Sequence, residues 1–451
     1  MTWIIEHIQK FGDTIAIADQ SCKFSYLDLF HQIETYTNHL NSKFNDNQVV
    51  AILSDYNIYA VALFLALLQK KAIIIPIVSN NTEEIDNRLK VVNCDWVIQL
   101  NATDLELIPQ IKEAKHTMMQ SIINQNQSGL VLFSSGSTGA PKAMIHNLDT
   151  LIDSYKNKKQ KNLNILVFLM FDHIGGLNTL FNAISMGATI VLPKNRNPEY
   201  IASLIEQHSV HVLPASPTFL NMMLMAKTEE KYNLNSLKMI TYGTETMPES
   251  LLEKLKLKFP RTKLVQTFGT SETGIAQTTS RTSNSLEMKL DTQNLEYKII
   301  NGELWLKTKT QVLGYLNASM ENFTEDGWFK TGDLVEALED GYIRITGRAK
   351  EIINVGGEKV LPAEIESIIL EVPEVDDCLV YGEKNAITGQ IVAVQLVLKP
   401  NTNEKEAKKN IRTHCKLKLS LYKVPVKFEF VEKINYGDRF KKKRLNIDDS
   451  I

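Results

Sequence analysis

LVLFSSGSTGAPKA, residues 130–143, sets four apolar residues directly against a loop of glycines, hydroxyls and one lysine. Leu130 to Phe133 reads as a strand. The loop after it has the ingredients of an anion-binding nest: Gly136 and Gly139 permit unusual backbone angles, Ser134, Ser135, Ser137 and Thr138 carry hydroxyls, and Lys142 supplies charge. It is not a Walker A loop. Counting from Gly136 puts Pro141 where the second glycine belongs, and Ala143 follows Lys142 where a hydroxyl is needed. Taken alone, the stretch fits a solvated surface loop equally well.

Outward from this loop, helical and strand-like patterns alternate through the first 280 residues or so. Tyr26 to Leu40 has amphipathic spacing, Ile58 to Leu68 reads as a buried helix, and Val49 to Leu53 and Ala72 to Val78 read as strands. Asn164 to Leu169, Thr189 to Leu192, Val210 to Leu213, Met239 to Tyr242 and Lys263 to Gln266 continue the series. This order predicts an α/β fold of largely parallel sheets covered by helices. From about residue 285 the pattern changes to short strands and turns, as in YKIINGELWLKT, predicting a small β-rich unit over 285–346. Helix and strand signals mix again after Lys350, and TGRAKEI marks a boundary. The expected organisation is a large N-terminal unit over 1–346, a connection at 347–351, and a smaller α+β unit over 352–451.

The chain has 451 residues, 43% of them hydrophobic, enough for about three domain-sized cores. A net charge of −2 points to no polyanionic partner, nucleic acid included. The four cysteines are isolated from one another and lack metal-ligand spacing, which suits a reduced, cytoplasmic setting. Glu6 and His7 interrupt the N-terminal apolar stretch, and the longest apolar run, Ile58 to Leu68, is too short to span a bilayer.

Further motifs accompany the opening loop in a fixed order: FGTSETG at 268–274, GWFKTGD at 327–333, and GRAKEIINVGGEKVLPAEIE at 347–366. Together with GELWLKT, VLGYLN and FSYLDL, they make nearly the whole chain resemble the acyl-adenylate-forming superfamily, whose members include acyl- and aryl-CoA ligases, peptide-synthetase adenylation domains and firefly luciferase. The resemblance implies a large N-terminal domain of two α/β subdomains with a small β-barrel-like unit, followed by a mobile C-terminal lid. It also implies ATP-dependent activation of a carboxylic acid to an acyl-AMP, with Mg²⁺, and transfer of the acyl group to the thiol of coenzyme A. A carrier-protein phosphopantetheine is the alternative acceptor, and a nucleotide-binding pseudoenzyme the alternative without catalysis.

Residue by residue, the resemblance gives the 134–142 loop to the phosphates. Gly243, Thr244, Phe268, Gly269, Thr270 and Ser271 go to the nucleotide, Glu272 to Mg²⁺ and catalysis, and Asp333 with Arg348 to the ribose. Phe268 and Ser271 stand where the family usually has Tyr and Thr. In LVFLMFDHIGGL, the CoA-ligase register counted back from Gly187 places His173 in the acid pocket, whereas an amino-acid-activating register would give Asp172 the substrate ammonium. The spacing favours His173, hence an acid without an α-amine: o-succinylbenzoate-like, benzoate-like or a medium acyl chain. Lys350 takes the hinge position, and Gly356-Gly357 the loop carried into the pantetheine tunnel. DRFKKKRLN stands where the family has P-x-T-x-S-G-K-x-x-R, which brings Lys441 onto the adenylation lysine and Arg444 onto the arginine. Lys442 and Lys443 are rivals, because the proline, threonine and Ser-Gly are absent and Phe440 replaces the glycine. Lys71 is a second residue at a position where the family tends to have glycine.

Overall fold

The computed structural model describes residues 2–101, 104–111, 113–134, 141–437 and 440–444. Helices start where side chains satisfy the first free N–H groups. Ser25 and Asp28 form a reciprocal capping box at Tyr26–Asn41, and Asn57 caps the almost wholly buried Ile58–Gln69. Helix Ile174–Met186 ends at Gly187 with φ +63°, where an added Cβ would stand 2.4 Å from the Phe11 ring.

Two seven-stranded sheets form the α/β part. One runs in the order Lys263–Gln266, Met239–Tyr242, Val212–Ala215, Asn164–Leu166, Thr189–Val191, Ile15–Ala18, Lys23–Ser25, parallel except for the last pair. The other has four central parallel strands, Trp96–Asn101, Val49–Leu53, Ile73–Ile77 and Gly129–Ser134, flanked by antiparallel edges. Strands such as Ile73–Ile77 are buried on both faces, as helices on each side of a parallel sheet require. Lys71, before that strand, takes φ +53°, the left-handed turn a glycine adopts without strain, and its ammonium meets Asp149 at 3.0 Å.

The third sheet is an open half-barrel of six antiparallel strands. It begins at Thr278–Ser280, ahead of the expected 285, because this short polar strand has no apolar alternation to betray it. Its strand Ile343–Arg348 runs on through Gly347, past the expected interruption. The remaining chain builds a five-stranded sheet with helices Pro362–Ile369 and Glu404–Lys418 around its own core, from Ile353 and Val360 through Ile411 and Val424. All four cysteines are free, three of them buried. Among the described residues no helix is long and apolar enough to cross a membrane.

Candidate active site

The C-terminal ends of three neighbouring parallel strands, Val212–Ala215, Met239–Tyr242 and Lys263–Gln266, deliver Thr218, Gly243-Thr244 and Thr267 to two adjoining cavities of about 340 and 710 Å³. Strand ends are where open parallel sheets leave a crevice. Gly243, Thr244, Phe268, Gly269, Arg348 and Lys441 line both. Only glycine fits at 243, where a Cβ would stand 2.6 Å from Thr267 Oγ1. Thr244 is held at φ +74°, strained for a β-branched residue, and its buried hydroxyl has no hydrogen-bond partner among the described residues.

Strands Phe268–Thr270 and Gly274–Ala276 form a hairpin whose three-residue loop presents Glu272 to the larger cavity. Gly274, at φ +77°, closes the loop. Tyr315 Oη donates to Glu272 Oε1 at 2.8 Å, and the Lys142 ammonium stands 5.6 Å from the same tyrosine ring. Burial and the Glu272 charge push the Tyr315 phenol well above its ordinary value, so it stays a donor. Asn317 grips the exit of the glycine-rich loop, donating to Pro141 O at 3.0 Å and accepting from Ala143 N at 2.8 Å. Ser134 and Lys142, paired across the mouth of that loop, both line the larger cavity. Ser135, Gly136, Ser137, Thr138 and Gly139 lie outside the described residues. Thr270 and Ser271 line the larger cavity beside Glu272.

Asp333 borders the smaller cavity, 4% exposed, with Arg348 Nε on its Oδ1 at 2.8 Å. Burial lifts its carboxyl to about 6, against the opposing pull of Arg348 and Lys441. His173 caps helix Ile174–Met186 by accepting from Gly175 N at Nδ1 (3.0 Å), and lines the larger cavity. Asp172 does not line it. This buried carboxylate pairs with Arg88 at 3.0 Å, whose guanidinium also meets Glu84 and covers the Phe133 ring. Leu169, Ile174, Gly175, Asn178 and Thr179 line the same cavity as His173, together with the charged Lys142, Glu272, Glu303, Lys330, Arg348, Lys350 and Lys441.

The three candidate lysines separate. Lys441 faces both cavities. Lys442 sends its ammonium to Asp377 and the Cys378 carbonyl, each at 2.6 Å, and Lys443 is exposed. Arg444 forks onto Glu366 and reaches Glu351 at 2.9 Å. Glu245, half-buried and raised by its loss of solvent, accepts from Thr218 N at 2.9 Å and Lys442 N at 3.4 Å. Lys350 lines the larger cavity, whereas Gly356 (φ +60°) and Gly357 (φ +91°) form the two-residue turn between Ile353–Val355 and Glu358–Val360 and line neither. Tyr315, Asn317 and Glu303, which accepts from Gly332 N at 2.8 Å, are site residues that sequence reasoning missed. Tyr315 and Asn317 lie within the VLGYLN landmark, the one signal that could have found them. Among the described residues no three His, Cys, Asp or Glu side chains gather as a metal cluster.

Residues 4–316 match the model of the AMP-binding enzyme family, and residues 364–436 that of the AMP-binding enzyme C-terminal domain. The chain is 26% identical over 470 residues to a 2-succinylbenzoate–CoA ligase of Staphylococcus epidermidis, covering 99% of this chain and 97% of that one. Its fold is similar to the anthranilate CoA ligase AuaEII in complex with anthranoyl-AMP, at TM-score 0.83, 17% identity, and 97% and 95% coverage. It is also similar to the o-succinylbenzoate CoA synthetase of Bacillus subtilis in complex with OSB-AMP, at TM-score 0.76, 21% identity, and 98% and 96% coverage. Two family models in sequence order, over a chain whose Ser134, Lys142, hairpin carboxylate and Lys441 line adjoining cavities, identify it as a member of the AMP-binding enzyme family, an adenylate-forming enzyme of the acid–CoA ligase type.

Proposed function

We propose that the protein activates an acid with no α-amino group, aryl or medium-chain, and transfers it to coenzyme A. The observation that carries this reading is Lys441, which with Arg348 is common to both cavities, with Asp333 on one side and Glu272, Lys142 and His173 on the other. The acid carboxylate attacks the α-phosphorus of ATP, the bond to pyrophosphate breaks, and acyl-AMP remains. Lys441 and Lys142 offset the charge that builds on the phosphate and carboxylate oxygens, a task suited to fixed cations in a site shielded from water. Asp333 accepts from the ribose hydroxyls, and the Gly243-Thr244 segment and Phe268 border the base. Glu272 would hold Mg²⁺: Tyr315 fixes one carboxylate oxygen, the second is a hard donor, and the ion would offset phosphate charge.

In the second step the CoA sulfur attacks the acyl carbonyl carbon, AMP leaves, and the thiol proton passes to solvent. This step assigns 347–351 as a hinge between the 1–346 unit and a mobile 352–451 unit, with Lys350 as the pivot. The Gly356-Gly357 turn then reaches the thiol tunnel only after that unit has rotated. The Arg88–Asp172 pair, which takes the carboxylate an amino-acid substrate would need, supports the absence of an ammonium site. Pyrophosphate exchange across aryl, fatty and amino acids, repeated for thioester product with CoA and with a phosphopantetheinyl carrier, tests the reading. One amino acid outcompeting every other acid would overturn the acid assignment. Product on the carrier but not on CoA would overturn the acceptor.

A further inference from the structure

Phe440 stands immediately before Lys441 in a conformation its residue type disfavours. Its φ is +52°, in the left-handed region that glycine enters freely and a side chain resists. A glycine would therefore suit this backbone better, and what phenylalanine adds is its ring. That ring packs on Phe168 and Phe219, with centroids 5.2 and 5.5 Å away, and stacks on Tyr436 at 5.9 Å. Phe168 and Phe219 are wholly buried in the core of the Lys263–Gln266 to Lys23–Ser25 sheet unit. The backbone is fixed beside the ring: Ser216 Oγ donates to Phe440 O at 2.8 Å while accepting from Phe219 N at 3.1 Å. Ser216 caps helix Pro217–Met225, whose first residues, Pro217 and Thr218, line the smaller cavity.

The next residues are held differently. Lys442 and Arg444 place their charged ends on Asp377, Glu366 and Glu351, residues of the C-terminal part of the chain. Lys441 thus lies between a segment seated by an aromatic ring in the N-terminal core and a segment seated by ion pairs in the C-terminal one. We propose that Phe440 is a positioning residue: its ring docks the C-terminal segment on the N-terminal unit and so sets Lys441 over the cavity for adenylate formation, and it withdraws for the thiol step. This rests on Lys441 as the adenylation lysine. Because the left-handed turn is kept by glycine, Phe440→Gly removes the ring without forcing the backbone elsewhere.

In the full-length enzyme, Phe440→Gly lowers kcat for pyrophosphate exchange tenfold or more, with KM for ATP and acid held within twofold. Thioester formation from chemically prepared acyl-AMP is unchanged or faster, and Phe440→Tyr restores exchange. Independently of activity, tryptic cleavage after Lys441 to Arg444 accelerates in Phe440→Gly while the melting temperature stays level. Equal cleavage rates in the two proteins overturn the docking role, as does parallel loss of both half-reactions with a lowered melting temperature. If Lys441→Ala exchanges as wild type does, the reading of Lys441 fails, and with it the purpose assigned to the ring. If wild type exchanges with no acid, the functional reading is what fails, and the cleavage comparison alone decides the docking.

Discussion

Replacing Asp333 with asparagine should make the protein more stable and a worse nucleotide binder at once. The carboxyl is 4% exposed and raised by burial from 3.8 to about 6, so ionising it in the folded chain costs about 3 kcal/mol at 1.36 kcal/mol per pH unit. A folded value above the unfolded one means that the native state binds more protons between about pH 4 and 6. Stability from this group is therefore present at low pH and lost as pH rises through that window. Asparagine removes the term. It also removes the ion pair to Arg348, an exposed partner whose attraction is already included in the value of about 6. The net expectation at pH 7.5 is a variant more stable by about 3 kcal/mol, with the gap narrowing to about 1 kcal/mol at pH 4.5, where the native carboxyl is protonated. Urea melts of both proteins at the two pH values measure this, and other titrating groups cancel in the difference. Affinity for AMP should fall about a hundredfold as charge-assisted hydrogen bonds to the ribose are lost. A less stable variant at pH 7.5, or a gap that ignores pH, would refute the argument that burial is what this carboxylate endures for function.

Lys441→Ala should cut pyrophosphate exchange about a hundredfold without moving the melting temperature. Lys442→Ala strands Asp377, whose side chain is 12% exposed, and should cost about 3 kcal/mol of stability, read in the same urea melts. Asp172→Ala likewise leaves Arg88 short of its buried partner; the expected result is a loss of about 3 kcal/mol with acid preference unchanged, and an altered preference would reopen the amino-acid register. Lys350→Pro fixes φ at the proposed pivot. Exchange should survive while thioester formation falls sharply, and equal loss of both would argue against a hinge there.

Periodicity located most of the sheet framework because buried parallel strands are short apolar runs: Val49–Leu53, Met239–Tyr242 and Lys263–Gln266 carry the expected bounds. Thr278–Ser280 escaped for the opposite reason, being polar throughout and a strand only by virtue of its neighbour. At the site, residues within a motif were legible and the partners that hold them were not. Glu272 is visible in FGTSETG, but Tyr315 reaches it from 43 residues away, because Gly314–Tyr315 adds as an edge strand to Lys142–Asn147. Arg88 meets Asp172 across 84 residues. Residue type also hides the backbone: Thr244, Lys71 and Phe440 all sit at positive φ, where a sequence reader expects glycine. In the sequence, Lys71 and Phe440 are visible only as departures from a pattern. The structure shows that the turn persists and a side chain has been accommodated in it.

The opposite loyalties of Lys441 and its neighbours bear on how such an enzyme would decay. Lys442 and Arg444 belong to the packing of the C-terminal core, so drift at either is opposed by folding itself, whatever the protein catalyses. Lys441 is turned to the cavities beside Asp333, and on its proposed role drift there is opposed by the reaction. In a lineage released from catalysis, 441 would be the first of the three to vary while 442 and 444 stayed fixed. On that role the segment carries a historical record: a basic run that has kept its flanks and lost its first lysine would mark a descendant that still folds and no longer adenylates.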